Sequence, residues 1–282
     1  MSLVTMKQIM IDAQKGKYAL GAFEFWSFDS AQAVVEAAEE FNVPVILQAG
    51  KIENAFACGE KTLVTIARTV AESAKVPVAL HLDHAEIFED ILAALDAGYT
   101  SVMYDGSALP TPQNMAMTQK VVEAAKRYGA TVEAELGKLA GSEGTLSVSQ
   151  EEALQTDPDE AADFVAQTGV DALAIAIGTA HGFYSRAPKL NIPRLQAIAQ
   201  KVSVPLVLHG GSGTPTDQVC EAIANGICKV NICTEFVAAF GQAYIATQAQ
   251  EGYRYTIPGL FGPSKEAGKA VAREKIKLFC GK

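Results

Sequence analysis

The residues with the most chemical content in this chain are its histidines. Three of the four stand just past short apolar runs of β type: His84 after 78–82, His181 after 172–177 and the Gly178-Thr-Ala step, and His209 after 205–208. Neutral imidazoles delivered from separate strand ends to one rim of a parallel sheet can converge on a single Zn²⁺. The fourth, His81, lies inside its run and reads as structural. A lone histidine after an apolar strand is most often a satisfied core group; three at equivalent positions favour metal binding.

Such a site requires strands that end at a common rim. Eight segments qualify: 19–25, 44–49, 77–82, 101–104, 131–136, 172–177, 205–208 and 229–232. Each is a nearly continuous β-branched or aliphatic run, as expected of strands covered on both faces of a parallel sheet. Helical patterns separate them. Asp29-Ser30 is placed to cap 31–41, Asp157-Pro158 to open 159–167, and Gly98, Gly129, Gly169 and Gly226 fall where helix ends need a left-handed residue. The expected fold is therefore α/β, a (β/α)8 TIM barrel formed by one domain over 1–282. An extra N-terminal helix over 5–15 would pack under the barrel, and a C-terminal helical extension over 263–279 would suit an oligomer contact.

Composition narrows the functional classes. The 282 residues are 49% hydrophobic, enough for a large core, and the net charge of −9 opposes a nucleic-acid partner, whose phosphates call for clustered Lys and Arg. No apolar run approaches the ~20 residues that span a bilayer, and the start lacks a signal-peptide pattern, so a cytoplasmic location without membrane contact is expected. Five cysteines form no C-x-x-C pair; four are expected to be small reduced core residues, with Cys233 the exception.

A TIM barrel places its chemistry at the C-terminal strand ends. In order, those ends carry Glu24, Lys51, Asp83 with His84, Asp105 with Ser107, Glu135, His181, His209 with 210–213, and Asn231 with Thr234. The opposite rim is apolar, entered by Val43-Pro44, Val76-Pro77 and Val204-Pro205. Strict alternation would send Asp83 and His84 to opposite faces. Both can face the mouth if the strand stops there and Ala85-Glu-Ile-Phe-Glu-Asp begins the next helix. Asp83 is then either a proton-transfer group or a carboxylate that orients an imidazole.

Two further segments have chemical readings. His209-Gly-Gly-Ser-Gly-Thr-Pro after strand seven and Asn231-Ile-Cys-Thr after strand eight, with Gly182, suggest a phosphate cradle of backbone N–H groups, against the alternative of a tight turn. The long connection after strand five has three early glycines and one carboxylate, Glu143. It is either a lid carrying an acid–base group or a solvated loop with an incidental glutamate.

The segments Leu80-His-Leu-Asp-His, Val102-Met-Tyr-Asp-Gly-Ser, Val132-Glu-Ala-Glu-Leu-Gly, Ala176-Ile-Gly-Thr-Ala-His-Gly, Leu206-Val-Leu-His-Gly-Gly-Ser-Gly and Lys229-Val-Asn-Ile-Cys-Thr-Glu resemble the class II, zinc-dependent ketose-bisphosphate aldolases. Within that family the likeness is greatest to the tagatose-1,6-bisphosphate (class IIB) branch. The resemblance implies a reversible cleavage of a ketose 1,6-bisphosphate, tagatose before fructose, to dihydroxyacetone phosphate and an aldehyde such as glyceraldehyde 3-phosphate through a zinc-stabilised enediolate. It implies that His84, His181 and His209 hold zinc, with Glu135 on or behind the metal. Asp83 would exchange the C4 hydroxyl proton and Glu143 the C3 proton. Gly182, Gly210, Gly211, Ser212, Asn231 and Thr234 would hold the dihydroxyacetone-phosphate half, with a monovalent cation (Na⁺ or K⁺) nearby. A small-molecule sugar phosphate is the implied partner, and a homodimer or homotetramer, in some members beside a non-catalytic partner subunit, the implied assembly.

This chain also departs from the family pattern. Glu24 stands where an Asn is usual, Gln48-Ala49-Gly50-Lys51 replaces a segment with a phosphate-holding Ser or Thr, and Cys233 replaces an Asp typical of fructose-specific members. Arg254 matches an arginine that reaches the second phosphate from a neighbouring subunit. Glu24 would repel a distal phosphate unless Lys51 neutralises it, so a modified or singly phosphorylated ketose is a second expectation. Two other classes compete with these: a weakly catalytic sugar-phosphate-binding assembly subunit, opposed by the intact Asp83, histidines and Glu143, and a metallohydrolase barrel, opposed by Phe23-Glu-Phe25 where a His-x-His pair belongs.

Overall fold

The computed structural model describes residues 2–138, 141–143, 146–148, 155–180, 182, 187–250 and 256–281, with backbone only for 141–143 and 146–148. Ten strands are present among them: β1 (Leu20–Glu24), β2 (Val45–Ala49), β3 (Val78–Ala85), β4 (Ser101–Tyr104), β5 (Thr131–Leu136), β6 (Gly141–Glu143), β7 (Leu146–Val148), β8 (Ala172–Ile175), β9 (Leu206–Leu208) and β10 (Ile227–Ile232). All except β6 and β7 are parallel, each paired with its successor, and β10 returns to pair with β1, closing the eight-stranded barrel read from the sequence. β6 and β7 form an antiparallel hairpin inside the long connection after β5, which is therefore more than a bare loop.

The helices are α1 (Met6–Gly16), α2 (Phe28–Phe41), α3 (Lys51–Phe56), α4 (Glu60–Ser73), α5 (Phe88–Ala97), α6 (Thr111–Lys126), α7 (Pro158–Thr168), α8 (Ile192–Lys201), α9 (Thr216–Ala224), α10 (Thr234–Gln248) and α11 (Ile257–Phe279). Helix α7 starts as expected: Asp157 accepts from the N–H groups of Asp159 (2.9 Å) and Glu160 (3.1 Å). Helix α2 starts earlier than expected. Its cap is Ser27, because Ser30 three residues on can return the hydrogen bond and complete a reciprocal pair.

Two apolar layers hold the barrel. Inside it, Met6, Ile9, Met10 and Ala13 of α1, spaced for one helix face, pack on Leu20, Ala22, Ile46, Ala79, Ala174 and Val207. Helix α1 thus plugs the N-terminal end of the barrel, and each large side chain so buried contributes about 1.5–3 kcal/mol. Outside, the opposite strand faces meet the helix ring. Helix α11 lies across α2 and α10, with Lys265 2.8 Å from Glu36 and Lys269 3.2 Å from Glu40. Gly268 permits that approach, since a Cβ there would stand 1.9 Å from the Phe240 ring.

Only Cys228 among the cysteines is fully buried; Cys58 and Cys220 are exposed, contrary to the expectation of core thiols, because Cys58 sits in the turn between α3 and α4 at the edge of a cavity and Cys220 on the solvent side of α9. Among the described residues no helix is long and apolar enough to cross a membrane.

Candidate active site

Strand β3 runs through Asp83 and His84 to Ala85, and α5 begins only at Phe88, so the helix does not start where the sequence suggested. Both side chains nevertheless face the mouth, for a different reason. The pairing of β3 with β4 slips between Leu82 and Ala85, and His84 has φ +44°, a left-handed backbone uncommon outside glycine. The bulge breaks the alternation and re-aims the histidine.

His84 and His209 come together across the barrel. Nε2 of His84 and Nδ1 of His209 are 2.8 Å apart, and each ring's other nitrogen is held by a carboxylate: His84 Nδ1 by Asp105 Oδ2 at 2.7 Å, His209 Nε2 by Glu133 Oε1 at 3.0 Å. Glu135 adds a buried Oε2 that carries no hydrogen bond, 3.6 Å from His209 Nδ1. Two oriented imidazoles and an orphan carboxylate oxygen are a donor set that fits zinc. Asp105, fixed in turn by the Ser107 N–H at 3.0 Å, is thus a carboxylate that orients His84.

The electrostatics follow from burial and crowding. Burial by itself would lower the His84 pKa, but the carboxylates of Asp83, Asp105 and Glu135 hold it well above the usual range. Burial pushes Asp105 up, yet its hydrogen bond and charge pairing with His84 leave it well below an ordinary carboxyl. Glu135 is raised, first by burial and then by the neighbouring carboxylates Asp105, Glu133 and Asp83.

Asp83 itself is held by amides. Gln48 Nε2 donates to Asp83 Oδ2 at 2.9 Å and Asn231 Nδ2 donates to both oxygens at 3.2 and 3.3 Å. Gln48 Nε2 also donates to Glu24 Oε2 at 3.1 Å, and Glu24 Oε1 accepts the Gly50 N–H at 3.0 Å. Glu24 is buried by these contacts, while Lys51 is exposed at the start of α3.

Below this layer, Glu133 is wedged between Lys229 (Nζ to Oε2, 2.9 Å) and His209. His81 lies beside them, its Nδ1 2.7 Å from Ser101 Oγ, and burial followed by the Lys229 charge keeps its pKa well below the usual value. Its structural reading fits that position. Sequence reasoning passed over Gln48, Glu133 and Lys229 as site residues. A signal existed: Glu133 with Glu135, and Lys229 with Asn231, are two apart on strands and so share a face.

Gly182, Gly210, Ser212, Asn231, Cys233 and Thr234 line one small cavity with Gln48, Asp83, His84 and His209. Gly211 is not part of that lining. Its N–H goes to the Asn231 carbonyl at 3.2 Å, and a Cβ would stand 2.8 Å from that oxygen, so glycine serves close packing there. A larger cavity, lined by Glu24 and Lys51, opens on the other side of Asp83 and His84. His181, Arg254 and the side chain of Glu143 lie outside the described residues; the Glu143 backbone ends β6.

Convergent imidazoles beside an amide-held carboxylate at the mouth of a parallel barrel mark this rim as a candidate active site with a group of side chains able to hold a metal ion. The chain belongs to the class II fructose-bisphosphate aldolase family, whose model matches residues 4–282. It is 42% identical over 282 residues to the D-tagatose-1,6-bisphosphate aldolase subunit GatY of Klebsiella oxytoca, covering 100% of this chain and 98% of that one. The crystal structure of the YdjI aldolase from Escherichia coli K12 matches with a TM-score of 0.86 at 36% identity, over 98% of this chain and 97% of that one. The fructose-bisphosphate aldolase of Campylobacter jejuni shares the fold, with a TM-score of 0.82 at 21% identity over 99% and 95% of the two chains.

Proposed function

We propose that this chain is a zinc-dependent aldehyde-lyase that cleaves a ketose phosphate between C3 and C4 to dihydroxyacetone phosphate and an aldehyde. The observation that carries the reading is Asp83, a buried carboxylate fixed by two amides directly beside the convergent His84 and His209. His84, His181 and His209 would hold the metal with Glu135 behind it. Bound there, zinc supplies Lewis-acid stabilisation of the negative charge that grows on the C2 oxygen.

The protein's own groups account for the proton movements. Asp83 takes the C4 hydroxyl proton as the C3–C4 bond breaks, its electron pair passing to the C2–C3 unit while the C4–O bond becomes the aldehyde carbonyl. Glu143, brought in on the hairpin segment, returns a proton to C3. The C1 phosphate is held by Gly182, Gly210 and Ser212 with Thr234, which opens α10, where N–H groups and the helix dipole favour an anion. A monovalent cation beside that phosphate belongs to the same reading. So does a homo-oligomer, and the GatY relative, itself named as a subunit, supports an assembly. That relative also supports the tagatose configuration at C4.

The test is release of dihydroxyacetone phosphate from tagatose and fructose 1,6-bisphosphates and 1-phosphates, with and without chelator, together with deuterium uptake at C3 of dihydroxyacetone phosphate. Chelator-sensitive cleavage and uptake are expected. Absence of uptake by zinc-loaded protein would sink the aldolase reading whatever the aldehyde.

A further inference from the structure

Resting on that aldolase reading, we propose that the aldehyde half of the substrate is an uncharged polyhydroxyl chain, so that the ketose carries its single phosphate at C1. The cavity beyond Asp83 and His84 measures about 390 Å³, and its wall is acidic: Glu24, Glu53, Glu60, Glu86 and Asp90 line it with Asp83. Lys51 is the only lysine or arginine among the described residues of that lining. A phosphate at the far end of a bound ketose enters a field of its own sign.

The backbone gives the same answer. The Gly50 N–H, at the end of β2 where an oxyanion would find a donor, is already taken by two carboxylates, Glu24 Oε1 and Glu53 Oε2, each at 3.0 Å. An incoming anion would have to displace both.

Glu24 therefore acts as a specificity residue in two ways: it fills the anion position at Gly50 and adds its own charge to the acidic wall.

The experiment measures kcat/KM of zinc-loaded protein for tagatose 1-phosphate against tagatose 1,6-bisphosphate, and for glyceraldehyde against glyceraldehyde 3-phosphate in the condensation direction. A preference of at least about tenfold for the uncharged tail is expected in both pairs, a size set by a few like-charge contacts in a half-solvated cavity. A smaller preference, or a preference for the bisphosphate, overturns the proposal. Glu53→Gln is expected to move the ratio toward the bisphosphate, and an unchanged ratio overturns the electrostatic assignment. Deuterium uptake by dihydroxyacetone phosphate without consumption of glyceraldehyde also overturns it, whereas absence of uptake indicts the aldolase reading itself.

Discussion

Glu133 and Lys229 form an ion pair wholly inside the barrel, Oε2 to Nζ 2.9 Å, both side chains at 0% exposure. A buried pair of this kind adds little net stability, because desolvation consumes most of the Coulomb gain. Its structural effect is geometric: the lysine pins one carboxylate oxygen region while Glu133 Oε1 holds His209 Nε2, which turns His209 Nδ1 toward His84.

Glu133→Gln is accordingly expected to weaken zinc binding by about 10- to 100-fold, the usual effect of losing a carboxylate behind a ligating imidazole. Competition with a chromophoric chelator measures it. Unchanged affinity would remove Glu133 from the metal site. Lys229→Met, which strands the buried carboxylate, should cost about 3–5 kcal/mol in urea denaturation.

Asp83→Asn and Glu143→Ala should separate the two proton transfers. The first is expected to lower retro-aldol cleavage by about 10²- to 10⁴-fold while deuterium uptake at C3 persists. The second should lose uptake. Zinc content should match the parent in both, so a metal-depleted Asp83→Asn protein would mean that Asp83 is a ligand.

His84 links pH to metal binding. Its raised pKa in the metal-free fold contributes stability that is fully present below the unfolded value of about 6.5 and is lost as pH rises through the folded value. Zinc takes the neutral ring, so below that value it must displace a proton. The increment in Tm on adding zinc should therefore grow as pH rises above about 6.5. A pH-independent increment in thermal scans would contradict the coupling.

Met10→Ala removes a fully buried side chain from the plug at the opposite end of the barrel. Destabilisation by about 2–5 kcal/mol in urea is expected, with zinc affinity unchanged.

The fold was legible because buried parallel strands print themselves as apolar runs and helix ends as caps and glycines; 101–104 and 131–136 match β4 and β5 residue for residue. Other boundaries moved for local reasons. β10 starts at Ile227, two residues before the expected 229, where its pairing with β9 is irregular. Of the site, Asp83, His84, Glu135 and His209 were readable as polar residues at strand ends. Glu133, Lys229 and Gln48 were not, since each sits within or below the rim and looks like a strand residue until its register with the facing strands is known. The bulge at His84 leaves no mark in the sequence at all, because positive φ at a histidine is imposed by the pairing around it.

That bulge has a mechanical consequence. It turns two consecutive residues, Asp83, the proposed proton acceptor, and His84, a proposed metal ligand, to the same mouth, with Cα atoms about 3.8 Å apart across one rigid plane. Whatever breathing the mouth undergoes when a substrate enters, those two groups ride together as one lever, and any substitution that relaxes the backbone at residue 84 disturbs both in the same stroke.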